Sequence, residues 1–123
     1  MNLREAIETI GKLRLLEKNW DGYGGNKLSD IAGEYSLYIV EQVASPDYIH
    51  PLSDGGVQLD YESKTNKSFL EIDVHFDGSV GYMFCPSGVY GENCEEKDED
   101  IDGVITYEDL RLLIYKVKYE QGC

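Results

Sequence analysis

Basic residues are scarce in this sequence. Only 11 Lys and Arg stand against 24 Asp and Glu, so the formal net charge at pH 7 is −13. The shortage is greatest in residues 45–109, which hold three bases and 16 acids. Nucleic acids are bound through Lys and Arg on the phosphates, and anionic membranes attract basic segments. Direct binding to nucleic acid or membrane is therefore disfavoured, and a basic protein or a cation is the favoured partner.

Side chains that usually perform catalysis are also few. The only histidines are His50 and His75, and neither shares a local motif with a cysteine or a serine. The glycines within residues 22–25 lie between two predicted helices rather than between a strand and a helix, so they do not form a phosphate-binding loop. The sequence therefore predicts a protein that is not an enzyme.

Cysteines and long apolar runs are limited as well. Cys85, Cys94 and Cys123 lack the spacing of a metal site, which makes free thiols the first expectation. Pairing of Cys85 with Cys94 under oxidising conditions is the alternative. No apolar run reaches the length of a membrane span, and residues 1–5 begin an amphipathic helix rather than a signal peptide. We expect a soluble, cytoplasmic protein.

The sequence does contain clear alternation of apolar and polar residues over 54–84. Three alternating runs separated by turn residues predict a three-stranded antiparallel meander. Matching the apolar faces of the first two runs sets Leu59 opposite Ile72, because a one-residue slip would turn every side chain to the wrong face. The second and third runs match only through a three-residue loop at 76–78 with Gly78 in the left-handed conformation.

Helical patterns flank this meander. They cover residues 2–18, residues 29–45 with Ser29 as N-cap, and about 107–120 with Thr106 as N-cap. The chain is therefore predicted to be one α+β domain over residues 1–123. Its order is α-α-β-β-β-α, and its antiparallel sheet is covered on one face by helices. The predicted buried stripes are Leu3, Ile7, Ile10 and Leu13; Ala32, Tyr35, Ile39 and Val43; and Leu110, Leu113, Ile114 and Val117.

Two shorter segments complete the predicted fold. Residues 48–52 are expected to add a short edge strand after Pro46. Trp20 and Tyr23 lie in a glycine-rich turn and are expected to close the end of the core. A small-ligand or peptide pocket around these two aromatic residues is the alternative.

The polar face of the meander is strongly acidic. The predicted register sets Asp60 directly opposite Glu71, and such like-charged pairs are unfavourable. A solvated outer face is normal for an antiparallel sheet, whereas an anionic surface kept for a cationic partner is the alternative that bears on function. The candidate partner-binding residues on this face and in the acidic loop that follows are Asp60, Glu62, Glu71, Asp73, Glu95, Glu96, Asp98 and Asp100.

Residues 98–109 resemble the calcium loop of an EF-hand. Acids alternate at the start, Gly103 permits a sharp turn, and a predicted helix follows. The loop departs from the pattern because its last ligand is Asp109 rather than Glu and because no helix precedes it. A solvated acidic loop is the alternative. The candidate ligands for Ca²⁺ or Mg²⁺ are Asp98, Asp100, Asp102, the carbonyl of Val104, and Asp109.

Four motifs together carry a resemblance to a known group of proteins. They are N-W-D-G-Y-G at 19–24, P-L-S-D-G-G-V-Q-L-D-Y at 51–61, L-E-I-D-V-H-F-D-G at 70–78, and Y-E-D-L-R-L-L-I at 107–114. As a set they resemble a family of small uncharacterised bacterial and phage-borne proteins. That resemblance implies no catalytic residue. By analogy with other small acidic proteins of mobile elements, it implies an inhibitor of the anti-CRISPR or antitoxin kind.

Charge and resemblance together give the functional expectation. The protein is predicted to be a non-enzymatic acidic inhibitor that presents its anionic sheet face and acidic loop to a basic protein. That partner would be a nucleic-acid-binding effector or a toxin, and the inhibitor would act as a nucleic-acid mimic. A cation-binding module built on residues 98–109 is the alternative function.

Overall fold

A computed structural model of the protein describes residues 1–89, 91 and 93–119. Over these residues the fold has four helices and five strands. The elements are α1 (Leu3–Leu13), α2 (Asp30–Gln42), β1 (Tyr48–Pro51), β2 (Val57–Glu62), β3 (Phe69–Val74), β4 (Val80–Cys85), β5 (Glu95–Asp98), α3 (Glu99–Asp102) and α4 (Tyr107–Lys118). All strand pairs are antiparallel, in the order β1-β2-β3-β4-β5. The predicted α+β class is confirmed, and so is the short edge strand β1.

The register of the central strands follows the predicted matching of faces. Leu59 lies opposite Ile72, and Ile72 lies opposite Tyr82 on the other side. The hairpin between β3 and β4 turns through the predicted three residues, and the φ angle of Gly78 is +89°. The amide of Gly78 donates to the carbonyl of His75 at 2.9 Å and closes the turn. Alternation and turn chemistry were sufficient to set this pairing.

Strand β5 was predicted as loop, and that prediction is wrong. Its sequence Glu-Glu-Lys-Asp has no apolar alternation, so its pattern gave no strand signal. The strand forms because it pairs with β4, with Glu95 opposite Phe84 and Asp98 opposite Gly81. A disulfide ties the start of β5 to the end of β4.

That disulfide joins Cys85 to Cys94, whose Cα atoms are 4.3 Å apart. The first expectation, free thiols, is wrong for these two residues, because the return of the chain into β5 brings them side by side. Cys123 lies outside the described residues, so its state stays a prediction. Within the described ranges, no helix has the length and apolar character needed to cross a membrane. Disulfides are typical of oxidising compartments, and the cytoplasmic location stays a prediction.

Helices α1, α2 and α4 pack on the apolar face of the sheet. The stripe of α4 is buried as predicted. In α1, however, Leu3 and Ile7 are 45% and 38% exposed, and in α2 Tyr35 is 44% exposed. The predicted Ile10, Ala32 and Ile39 are buried, and each helix also buries small residues outside its predicted stripe. A Cβ on Gly33 would lie 2.6 Å from Nε of Arg14, so the guanidinium of Arg14 packs directly on the backbone of α2 at this glycine. A stripe predicted from large apolar residues alone does not identify small buried residues such as Gly33.

Helices α1 and α2 both end before their predicted boundaries. The residues buried in them are Ala6 and Ile10 in α1 and Ala32, Gly33, Ser36, Ile39 and Val40 in α2.

After α1 the chain enters the glycine-rich turn, where Tyr23 is 94% exposed. The expectation that Tyr23 closes the core is therefore wrong. Trp20 is partly buried, and its indole N–H donates to the carbonyl of Asn26 at 2.9 Å. The side chain of Asp21 holds the turn by accepting the amide of Gly25 at 2.8 Å.

Reduction of the disulfide should destabilise the protein. A bridge with a sequence separation of 9 restricts the unfolded chain, and its loss is expected to lower the free energy of unfolding by about 2–3 kcal/mol. Urea titrations with and without a phosphine reductant measure the difference. A Cys85→Ala/Cys94→Ala variant should be about as unstable as the reduced protein and should not respond to reductant. Equal unfolding curves of the native protein in both buffers would contradict the bridge.

Candidate functional site

The face of the sheet opposite α1, α2 and α4 carries two rows of side chains that run across all five strands. We call these two rows the acidic face. The first row is His50, Gln58, Asp73, Gly81 and Asp98, and the second is Tyr48, Asp60, Glu71, Met83 and Glu96. Neighbouring strands are about 4.8 Å apart, and residues two apart along a strand are about 6.8 Å apart. Five carboxylates therefore occupy a small patch whose spacing is set by the backbone.

A groove of about 570 Å³ opens on this face between β3, β5 and α3. Gly81 lies at its floor, directly between Asp73 on one strand and Asp98 on the other. A Cβ on Gly81 would come no closer than 3.4 Å to another residue, with His75 Nε2 at 3.6 Å. The missing side chain therefore leaves open the space that the carboxylates surround. The remaining lining includes Glu71, Met83, Glu96, Ile101 and Asp102.

Histidine and amide groups are the polar partners found on this face. His50 Nε2 lies 3.1 Å from Asp60 Oδ2, and Gln58 donates to Asp60 Oδ1 at 2.8 Å. At the end of β3, His75 Nδ1 lies 3.3 Å from Asp54 Oδ2. For the part of the chain that the structure describes, ion pairs with Lys or Arg occur elsewhere and not at the five carboxylates of the acidic face. The sequence gave no signal that His50 would contact Asp60.

Two carboxylates of the acidic face lie in surroundings that disfavour their charge. Burial raises the pKa of Glu71, and the nearby Asp60 and Asp73 raise it further. Burial likewise raises the pKa of Asp73, while His75 opposes the shift. The Oδ1 atom of Asp73 is buried without a hydrogen-bond partner among the described residues. A cationic group placed in the groove would supply the interaction that these carboxylates lack.

The predicted partner-binding set is divided by the structure. Asp60, Glu71, Asp73, Glu96 and Asp98 come together on the acidic face. Glu62 lies on the same face one row further along, opposite Phe69.

The other two predicted partner-binding residues lie elsewhere. Glu95 points to the helix side of the sheet, where the hydroxyl of Tyr82 donates to its Oε1 at 2.8 Å. Asp100 belongs to α3 and lies outside the two rows. Successive strand residues point to opposite faces, so Glu95, predicted as part of the acidic loop, lies on the other side of the sheet from Glu96. Its contact with a partner stays a prediction.

The EF-hand-like segment adopts a different structure. Asp98 caps α3 by accepting the amide of Asp100 at 3.0 Å, and Asp102 accepts the amide of Asp98 at 3.2 Å. Asp109 accepts the amide of Thr106 at 2.9 Å in the capping box of α4, and Val104 is 78% exposed. Over the described ranges, no three or more His, Cys, Asp or Glu side chains are grouped so that they could hold a metal ion. The calcium hypothesis gains no support from this geometry.

Comparison with known proteins leaves the function open. No protein-family model, no curated protein and no solved structure matches this chain. The resemblance to small bacterial and phage-borne proteins therefore stays a prediction, and the geometry of the acidic face carries the functional argument.

The raised pKa values predict how stability depends on pH. The folded state holds protons on Glu71 and Asp73 more tightly than the unfolded chain does, so their contribution to stability should increase as the pH falls from about 7 towards about 4. A Glu71→Gln/Asp73→Asn variant should be more stable at neutral pH by about 0.5 kcal/mol, the scale of a cross-strand like-charge pair. It should also lose part of the pH dependence.

Urea titrations of both proteins between neutral and mildly acidic pH measure this effect. A Glu17→Gln/Glu34→Gln variant, which removes the same charge from exposed positions, is the control. A control that gains as much stability as the sheet variant would show that net charge, and not the acidic face, is responsible.

The geometry of residues 98–109 predicts no selective response to calcium. Ca²⁺ and Mg²⁺ at matched ionic strength should shift the melting temperature equally, because both act by screening the acidic surface. Thermal melts in EDTA, Ca²⁺ and Mg²⁺ make the comparison. A shift specific to Ca²⁺ that disappears in Asp98→Asn/Asp100→Asn would restore the calcium hypothesis.

Proposed function

We propose that this protein is a non-enzymatic acidic inhibitor that binds a basic protein through its acidic face. The observation that carries the proposal is the pair of carboxylate-bearing rows, in the first of which Asp73 and Asp98 flank the groove floor at Gly81. The net charge of −13 gives long-range attraction to basic surfaces. The two rows are the surface on which this attraction would lead to binding.

The acidic face is fixed before a partner arrives. Its carboxylates stand on strands and not on loops, so little ordering of the backbone would accompany binding. Asp73 has one buried oxygen without a hydrogen-bond partner among the described residues, so the charge of this carboxylate is not compensated on that side. Because binding of a cation would favour the charged forms of Glu71 and Asp73, it would also reverse the rise in their pKa values.

Arginine is the side chain that suits this arrangement best. Its planar guanidinium presents five N–H donors and binds carboxylates through two hydrogen bonds. Proteins that bind nucleic acid present such cations to the phosphate backbone. A rigid two-row array of carboxylates offers them a substitute for phosphates, and the partner class is therefore a basic nucleic-acid-binding effector or toxin.

An oligo-arginine peptide tests the proposal as a probe of a basic surface. The native protein should bind the labelled peptide in a salt-dependent way and displace it from a short DNA duplex. An Asp60→Asn/Glu71→Gln/Asp73→Asn variant should bind at least about tenfold more weakly, a loss of about 1.4 kcal/mol. Fluorescence anisotropy across a salt series gives both quantities.

A matched variant separates the site from net charge. Glu17→Gln/Glu34→Gln/Glu41→Gln removes three charges from exposed positions of the helical side and its flanking turn. It should bind nearly as tightly as the native protein. Equal losses in the two variants, or no displacement of the duplex by the native protein, would refute the acidic face as the binding surface.

A further inference from the structure

A second groove lies on the other flank of α3. It has a volume of about 670 Å³ and is bounded by α2, the β3–β4 hairpin, α3 and the start of α4. We call it the tyrosine groove, because the rings of Tyr35 and Tyr107 form part of its wall. Its volume falls within the range of about 300–1,000 Å³ that is common for ligand pockets. The other side chains that the argument uses are Val80, Leu110, Asp77, Glu99 and Asp100.

Both tyrosine rings are held in place while part of each remains open to solvent. A Cβ on Gly78 would lie 2.9 Å from Cε2 of Tyr35, so the hairpin packs directly against that ring. The rings of Tyr38 and Tyr107 are 4.7 Å apart between centroids and tilted by 39°. Tyr35 remains 44% exposed and Tyr107 36% exposed. The groove therefore presents aromatic surface that is ordered by its neighbours.

The rim of the tyrosine groove is anionic. Asp77 accepts hydrogen bonds from the amide of Ser79 at 2.9 Å and from its hydroxyl at 2.7 Å, and these bonds lower the pKa of Asp77. Glu99 Oε2 accepts the amide of Val80 at 3.1 Å, which fixes that carboxylate beside the groove. Asp100 is exposed. Three acids and no Lys or Arg belong to the described lining.

Aromatic faces beside carboxylates are the chemistry that recognises an organic cation. A guanidinium stacks on a tyrosine face and can donate to carboxylates at the same time, whereas an ammonium lacks the planar surface. We propose that the tyrosine groove is a docking site for an arginine side chain on a peptide or protein partner. The site is separate from the acidic face, because α3 stands between the two grooves. Glu99 and Asp100 line the tyrosine groove, and Ile101 and Asp102 line the groove at Gly81.

A short peptide with one central arginine between glycines is the probe, and the signals of the tyrosine rings report its binding by NMR. The arginine peptide should shift the ring signals of Tyr35 and Tyr107. The same peptide with citrulline, which keeps the planar shape without the charge, should bind about tenfold more weakly. The lysine peptide should also bind more weakly, because it keeps the charge without the plane.

Variants of the protein locate the site. Tyr35→Leu should weaken the arginine peptide about tenfold, while Tyr35→Phe, which keeps the aromatic face, should bind like the native protein. Tyr115→Leu, at a 57% exposed tyrosine outside the groove, is the matched control and should bind normally. Glu99→Gln/Asp100→Asn should weaken binding because it removes charge from the rim. The Asp60→Asn/Glu71→Gln/Asp73→Asn variant should still bind the peptide, which separates this site from the acidic face.

Each opposite result overturns the inference. Equal binding of the arginine and citrulline peptides would show an apolar or shape-selective groove, and tighter binding of the lysine peptide would show a site for a point charge. A loss in Tyr115→Leu as large as in Tyr35→Leu would place binding elsewhere. Ring shifts that depend on protein concentration in the absence of peptide would assign the groove to a second copy of the chain.

Discussion

Burial of one side of the sheet is the constraint on which the other features depend. Leu59, Leu70 and Ile72 are fully buried under the helices, and burial of each such side chain is worth about 1.5–3 kcal/mol. The register that achieves this burial also sets Asp60 opposite Glu71. A like-charged pair in that position costs roughly 0.2–1 kcal/mol, so the apolar side decides the register and the acids follow. The carboxylate rows are therefore fixed by side chains on the opposite surface.

Patterns that depend on neighbouring residues were readable from the sequence. The strand pairings, the Gly78 turn and the N-caps at Ser29 and Thr106 depend on alternation or on local hydrogen bonds. Features that depend on distant parts of the chain were not readable. The stripes of α1 and α2 were right only in part, because Leu3, Ile7 and Tyr35 are exposed. Small residues such as Ala6 and Ser36 are buried in those helices without having been predicted. Strand β5 and its disulfide form because the edge of β4 is free to pair with another strand. The acidic sequence of β5 has no alternating pattern from which this pairing could be predicted.

Only part of the acidic face could be predicted, because some of its residues follow a local pattern while others depend on pairing between distant strands. Alternation alone placed Asp60, Glu71 and Asp73 on one surface, but Glu96 and Asp98 join them only through the pairing of β5 with β4. The EF-hand pattern is ambiguous because short acidic side chains also serve helix starts: Asp98 is the N-cap of α3, and Asp109 completes the capping box of α4. Neither groove could be foreseen, since each depends on how α3 approaches residues distant in the chain.

The acidity of β5 and its covalent attachment are physically linked. The strand has no buried residue, so the apolar burial that holds β2, β3 and β4 is absent from this described edge strand. It also brings Glu96 and Asp98 towards a face that already holds three carboxylates, which opposes docking. Backbone pairing, the bond from Tyr82 to Glu95, and the disulfide at the start of the strand act against that repulsion. An edge strand that was free of the bridge would be the first part of the sheet to open, because its local free energy of opening would be lowest. If β5 opened, the groove at Gly81 would lose one of its walls. Helix α3, which follows β5 directly and separates the two grooves, would lose its attachment to the sheet.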